Sequence, residues 1–266
     1  MTLRRKLPGW PGSRAIAWGS LFVCALAAGV WLAEYRAPAA PAGPAALQAA
    51  EVDRLRMKAA GASDASALEQ LQQAARHGNV DAMRAAASVM IAGKNKSSVE
   101  RGLQWALRAA QQGDRRAQYL LGKTLFEGSA WRLPEHENAR AWLEKSAVQQ
   151  HSQAAYLLGL IYKNGYGIAM DEVAAVQWFE RAADLGNPDA MFMLGNAYLA
   201  GEGVALDQSR AVRLYRAAAE LEHPLASQML GYALRDGTLG LARDSRQSQE
   251  MMVEVEHALK HPRDVL

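Results

Sequence analysis

The sequence predicts an all-α chain, a solenoid of antiparallel helix pairs preceded by a single N-terminal transmembrane helix. Three observations predict it. A Leu-Gly pair returns at Leu121-Gly122, Leu158-Gly159, Leu194-Gly195 and Leu230-Gly231, with glycine spacings of 37, 36 and 36 residues. Two further columns keep step: Trp105, Trp142, Trp178 and Leu214, and the pairs Ala109-Ala110, Ser146-Ala147, Ala182-Ala183 and Ala218-Ala219. Independent columns holding one period of ~20–50 residues indicate stacked repeats. The third observation is an uncharged apolar run of 19 residues, Ala15 to Ala33.

That run would span roughly 28 Å as a helix at ~1.5 Å per residue, close to a bilayer core. Trp18 and Trp31 lie near its ends, where amphipathic rings favour the membrane interface. Residues 1–14 carry Arg4, Arg5, Lys6 and Arg14 and no acid. The positive-inside bias therefore makes 1–14 a cytoplasmic arm, 15–33 a signal-anchor in the inner membrane, and the body periplasmic. A cleaved signal peptide is the competing reading, because Ala25-Leu26-Ala27 follows an apolar stretch as a small-residue cleavage site. Residues 34–62 form a Pro/Ala-rich linker, stiffened by three prolines in "APAAPAGPAA", with room for a first helix at 45–60.

Half of the chain is apolar but only 7% is aromatic, and Ala abounds, which favours close-packed helices over sheet. The single cysteine, Cys24, excludes an internal disulfide framework. Outside the basic arm the chain is close to neutral, so its net charge of +3 gives no argument for nucleic acid.

Within one unit the pattern is helical. Leu157, Leu158, Ile161 and Tyr162 make an apolar stripe at helix spacing, and Gly165-Tyr166-Gly167 interrupts it. Asp171 is placed to cap a second helix whose inner face is Val176, Phe179, Ala182 and Ala183. Gly186 ends that helix, and Asn187-Pro188 starts the next. Ser66–Glu69 and Ser97–Glu100 fit capping boxes. Gly159 costs ~1 kcal/mol relative to Ala inside a helix. Close backbone approach to Ala182 would offset that, and Gly195 with Ala218 repeats the arrangement. Gly122 and Gly231 hold the same column.

The pattern A-x-Y-x-L-G-x-x-Y-x-x-G-x-G-V/I…D…A-V-x-W-F/Y-x-x-A-A-x-x-G-N resembles the Sel-1-like repeat, a branch of the tetratricopeptide family. Residues 117–153, 154–189 and 190–225 carry it best; 81–116 and 226–260 are degenerate, within a repeat domain of 63–262. The resemblance implies a right-handed α-solenoid that binds or organises proteins, with structural rather than catalytic motif residues and no cofactor. By analogy with tetratricopeptide geometry it also places three first-helix columns on a concave groove. These read Tyr119, Tyr156, Phe192 and Gln228; Lys123, Leu160, Asn196 and Tyr232; and Phe126, Lys163, Leu199 and Arg235. Aromatics with scattered polar groups suit a peptide ligand, and packing between repeats is the alternative use of the same rings. The insertion "SAWRLP" adds Trp131 and Arg132 as a second candidate contact, or as cover for their own unit.

Other motifs carry little chemistry. Gly122-Lys123-Thr124 lacks the earlier glycine and the strand of a phosphate loop. His257 and His261 with Glu254 could share a zinc ion, but charges on a terminal helix suffice to explain them, and no metal is expected. His151 and His223 fall in the helix-start column of Asn79, Asp114 and Asn187, where capping explains them. Asn95-Lys96-Ser97 is a glycosylation sequon, meaningful only in a eukaryotic secretory pathway.

The expected function is therefore a non-catalytic, membrane-anchored scaffold whose groove binds a protein or peptide in an envelope complex. The alternatives are a cleaved, soluble periplasmic or secreted binding protein, for example in polysaccharide or cell-wall assembly, and a repeat-type hydrolase.

Overall fold

The computed structural model describes residues 47–93 and 95–260. The basic arm, the apolar run 15–33 and the proline-rich stretch lie outside the described residues, as do His261 and the side chains of Glu254 and His257. The chain divides into residues 1–45 and 46–266, and the described helices belong to the second unit.

Among the described residues twelve helices follow one another: α1 (Ala49–Gly61), α2 (Ala65–Arg76), α3 (Val80–Ile91), α4 (Lys96–Gln111), α5 (Arg115–Glu127), α6 (His136–Val148), α7 (Ser152–Asn164), α8 (Glu172–Asp184), α9 (Pro188–Ala200), α10 (Gln208–Glu220), α11 (Pro224–Asp236) and α12 (Ser245–Lys260). Odd-numbered helices are the first members of hairpins and even-numbered ones the second. Each second helix also packs on the first helix of the next unit, so the hairpins stack into a solenoid. Among the described residues there is no strand, only an isolated antiparallel bridge between Ser129 and Arg132. None of the described helices is long and apolar enough to cross a membrane.

The helix starts have a common cause. A helix leaves its first N–H groups without intrahelical acceptors. Asn79, Asn95, Asp114, Asp171, Asn187 and Asp207 each accept one from the residue three positions on. His151 and His223 do the same through Nδ1, at 3.4 and 3.1 Å. The expected capping boxes are not formed: Asp64 and Asn95, not Ser66 and Ser97, cap α2 and α4. Acceptors two residues upstream already cap these helices, so the serines fall inside the first turn.

The turn from one unit to the next is equally economical. Gly186 N–H bonds to the Ala183 carbonyl at 2.9 Å and Asn187 N–H to the Ala182 carbonyl at 3.0 Å. This is a Schellman closure, made with Gly186 at φ +79°. Its last residue, Asn187, is also the cap of α9, so no residue is spent on a linker. The same bonds join Ala109 to Asp114, Ser146 to His151 and Ala218 to His223. The small-residue column thus marks the closing carbonyls; Ala109, Ser146, Ala182 and Ala218 are all fully buried.

The repeat glycines do allow close approach, and at Gly159 and Gly195 the nearest side chain is an aromatic ring rather than the expected alanine. A Cβ on Gly159 would collide with the edge of the Phe179 ring, and one on Gly195 would lie 2.6 Å from the Tyr215 ring. A Cβ on Gly122 would come within 2.8 Å of Leu143, and one on Gly231 within 3.2 Å of Met252. The expected partners Ala182 and Ala218 sit three residues further along the second helices, at the closures. The physical reason is volume: a large residue on the second helix fills the hairpin only where the first helix has no side chain.

Candidate partner-binding groove

The three expected columns sit on α5, α7, α9 and α11. First helices of successive units also approach each other directly, as α3 does α5 and α5 does α7.

The aromatic column is half-buried, and two of its rings pack between units. Tyr119 stacks on His151, the cap of the next unit's first helix, with centroids 4.4 Å apart. Phe192 stacks in the same way on His223 at 4.8 Å and tilts against Tyr215 at 5.7 Å. Tyr156 tilts against Phe179 at 6.1 Å. Burial raises the Tyr119 and Tyr156 phenols above their usual range, and Asp189 adds to both shifts. Burial also pushes the Tyr215 phenol up to about 12, and its hydroxyl donates to Asn196 Oδ1 at 2.7 Å. His151 is driven the other way, down to about 4: burial disfavours the imidazolium first, and Arg115 and Arg116 add repulsion that Asp114 only partly offsets. His223 differs in its neighbour, with Nε2 lying 3.3 Å from Asp189.

The polar columns are mostly paired within the chain. Lys163 Nζ donates to Glu202 across the loop of the next unit at 2.6 Å. Lys123 lies 3.8 Å from Glu127 on its own helix. Tyr232 is 39% exposed, with the Arg235 guanidinium 5.0 Å above its ring and the Gln228 amide donating to its hydroxyl. Arg235 forks onto both Asp236 carboxylate oxygens, which raises the guanidinium pKa and lowers that of the carboxyl. Phe126 leaves the groove pattern altogether, clustering with His136 and Tyr166 at 5.4 and 5.3 Å.

Trp131 and Arg132 lie apart from these columns, on the loop between α5 and α6. Trp131 is 47% exposed, and Arg132 is ion-paired with Glu135. Their neighbour Leu133, which the sequence did not single out, is the most exposed large apolar side chain described, at 85%. Sequence reasoning also passed over Met170 and Leu206, exposed at 66% and 62%. A signal was present: each stands directly before a capping aspartate, in "MDEV" and "LDQS". Among the described residues no group of three or more His, Cys, Asp or Glu side chains is placed to hold a metal.

The Sel1 repeat family model matches five consecutive stretches, 92–114, 115–151, 152–187, 188–223 and 224–252. The chain belongs to the Sel1 repeat family. Solved structures agree. A Sel1 repeat protein from Oxalobacter formigenes is 24% identical, with a TM-score of 0.70 over 79% of this chain and 88% of that one. The protein c5321, a protective antigen of uropathogenic Escherichia coli displaying this fold, is 30% identical, with a TM-score of 0.65 over 72% of this chain and 41% of its own. The immunity protein PA5088 from Pseudomonas aeruginosa shares the fold at 16% identity, with a TM-score of 0.53 over 81% of this chain and 83% of that one. No curated protein matches the sequence. The Sel1 repeats make the body a helical scaffold of a kind compatible with protein–protein interaction.

Proposed function

We propose that the protein is a non-catalytic scaffold, anchored in the inner membrane through residues 15–33, whose inner helix wall binds a peptide or helix of an envelope partner. The observation that carries this reading is the aromatic column Tyr119, Tyr156 and Phe192. Tyr119 and Phe192 stack on the next unit and Tyr156 tilts against Phe179 of its own, yet all three rings remain half-exposed. Rigid aromatic faces give contact area at little entropic cost. Lys123, Lys163, Asn196 and Tyr232 flank them and supply polar selection.

Photo-crosslinkers placed at Tyr232 or Lys163 of the full chain in cells should label one partner. That adduct should fade in the Tyr156→Ala/Phe192→Ala variant while the thermal melt stays cooperative. Equal labelling in that variant overturns the groove. N-terminal sequencing of the mature protein tests the anchor separately: a start near Ala28 replaces it with the cleaved periplasmic form.

A further inference from the structure

The loops joining first to second helices form one edge of the solenoid. Three successive loops expose large apolar side chains there: Trp131 and Leu133, then Met170 with Val173 on the first turn of α8, then Leu206. Single exposed apolar residues are ordinary, whereas a contiguous set marks a contact surface. These loops are contiguous. Gly167 lies against His136, where an added Cβ would come within 2.9 Å of that residue's own Cβ, and Gly203 lies against the backbone of Glu172 and Val173. An open depression of about 650 Å³ lies between them, lined in part by Arg140, Tyr162, Ile168, Met170 and Val173.

The charges of this edge are unbalanced. Around the three loops the bases are already paired: Arg132 with Glu135, Arg140 with Glu144, Lys163 with Glu202 and Arg210 with Glu180. Carboxylates are left over. Among the described residues Glu137 and Glu172 make no ion pair, and Asp171 and Asp207 have only backbone N–H donors as hydrogen-bond partners. Positions at helix starts account for the sign of these acids. They do not account for the apolar side chains set among them.

We infer that this loop edge is a second docking surface, separate from the groove, and that its occupant is a basic amphipathic helix of a partner protein. The apolar side of that helix covers Leu133, Met170 and Leu206, and its Lys or Arg residues meet Glu137 and Glu172. Units stacked at about one helix diameter, ~10 Å, set the first and third loops roughly 20 Å apart, which about 13 helical residues span. Neutralising charge while covering apolar surface is what distinguishes this ligand from an acidic or purely apolar one.

The test titrates the full chain with a fluorescent synthetic helix of Leu and Lys at helical spacing, and with the same helix carrying Glu for Lys. The Lys peptide should bind. Leu133→Ser/Val173→Ser and Glu137→Lys/Glu172→Lys should each weaken it at least tenfold. Both side-chain pairs are exposed, so the circular dichroism melt should stay cooperative, unmoved in the serine variant and lowered in the lysine variant only by the lost helix-start interaction, and Tyr156→Ala in the groove should leave binding unchanged. Four results overturn the inference: no binding of the Lys peptide, equal binding of the Glu peptide, unchanged affinity in either double variant, or an edge already occupied by another ligand. The last would show as a dimer in sedimentation, or as binding to anionic phospholipid vesicles, that Leu133→Ser/Val173→Ser abolishes.

Discussion

The two halves of the solenoid close the same helix–helix gap with different residues. In the half from α6 onward, Gly159 faces Phe179 and Gly195 faces Tyr215, and both aromatic rings are fully buried. In the first half the same columns hold Ala87 and Ala106, each also fully buried. The core there is built from Ala, Val, Leu and Met, with aromatics only partly buried at its margin. One solution leaves one helix bare and lets its partner reach across; the other shares the space evenly. The repeat therefore preserves neither a residue type nor a summed volume at this contact, and in the first half neighbouring side chains must fill what the smaller pair leaves, as close packing requires.

The largest effect should come from breaking the asymmetric solution. Phe179→Ala removes a fully buried ring and should cost ~3–5 kcal/mol in urea denaturation. Gly159→Ala pushes a methyl into that ring and should cost ~1–3 kcal/mol. Together they recreate the Ala–Ala pair of the first half. The double variant should then be less destabilised than the sum by at least ~0.5 kcal/mol, because each change relieves the other. Strict additivity would mean the two residues do not share one space.

Much of this was legible in the sequence. The helix pairs follow from Leu-Gly spacing, and Asp171, Gly186 and Asn187 announce one end and two starts by their chemistry. What was not legible is which residue each glycine faces. Repeat columns fix positions along the chain, whereas Phe179 and Ala182 differ by less than one turn of the same helix, and only the crossing of two helices decides between them. The loop edge escaped for another reason. Exposure of Met170 and Leu206 depends on how far each loop leans out, and an apolar residue before a capping Asp reads as readily as a staple folded onto its helix.

A second difference separates the two histidine caps. His223 has Asp189 beside its Nε2, whereas His151 has Arg115 and Arg116 as neighbours. The His151 pKa in the folded protein, about 4, lies below its ordinary 6.5, so folding favours the neutral ring. Its contribution is complete above pH ~6.5 and is lost as pH falls from there through about 4, on the order of 2 kcal/mol after allowance for partial exposure. Thermal melts from pH 7 to 4 should show a steeper decline for the natural protein than for His151→Asn, which keeps a capping acceptor that does not titrate. Parallel curves would remove His151 from the acid response.

Caps in the two halves should behave alike even though the cores differ. Asn95→Ala and Asp207→Ala each delete one side-chain acceptor, at 2.8 Å in both cases, from an exposed first turn. Each should cost ~1 kcal/mol. The local free energy of amide exchange should fall by that amount at α4 in one variant and at α10 in the other. A loss several times larger in the later half would mean that the aromatic core transmits damage which the alanine core confines.

The smallest effect falls where the proposed function is most exposed. The Lys163–Glu202 pair joins two successive units on the groove side at 2.6 Å, with Glu202 45% exposed. An ion pair so accessible to water contributes ~0.2–1 kcal/mol, and less in salt. Lys163→Ala should therefore scarcely move the urea midpoint, and raising the ionic strength should erase what difference there is. Partner labelling from Tyr232 should respond far more, because releasing Glu202 changes the sign of the groove at that unit while the stack stays intact. A substitution that leaves stability alone yet alters capture separates recognition from folding; matched small losses in both would assign Lys163 to the scaffold.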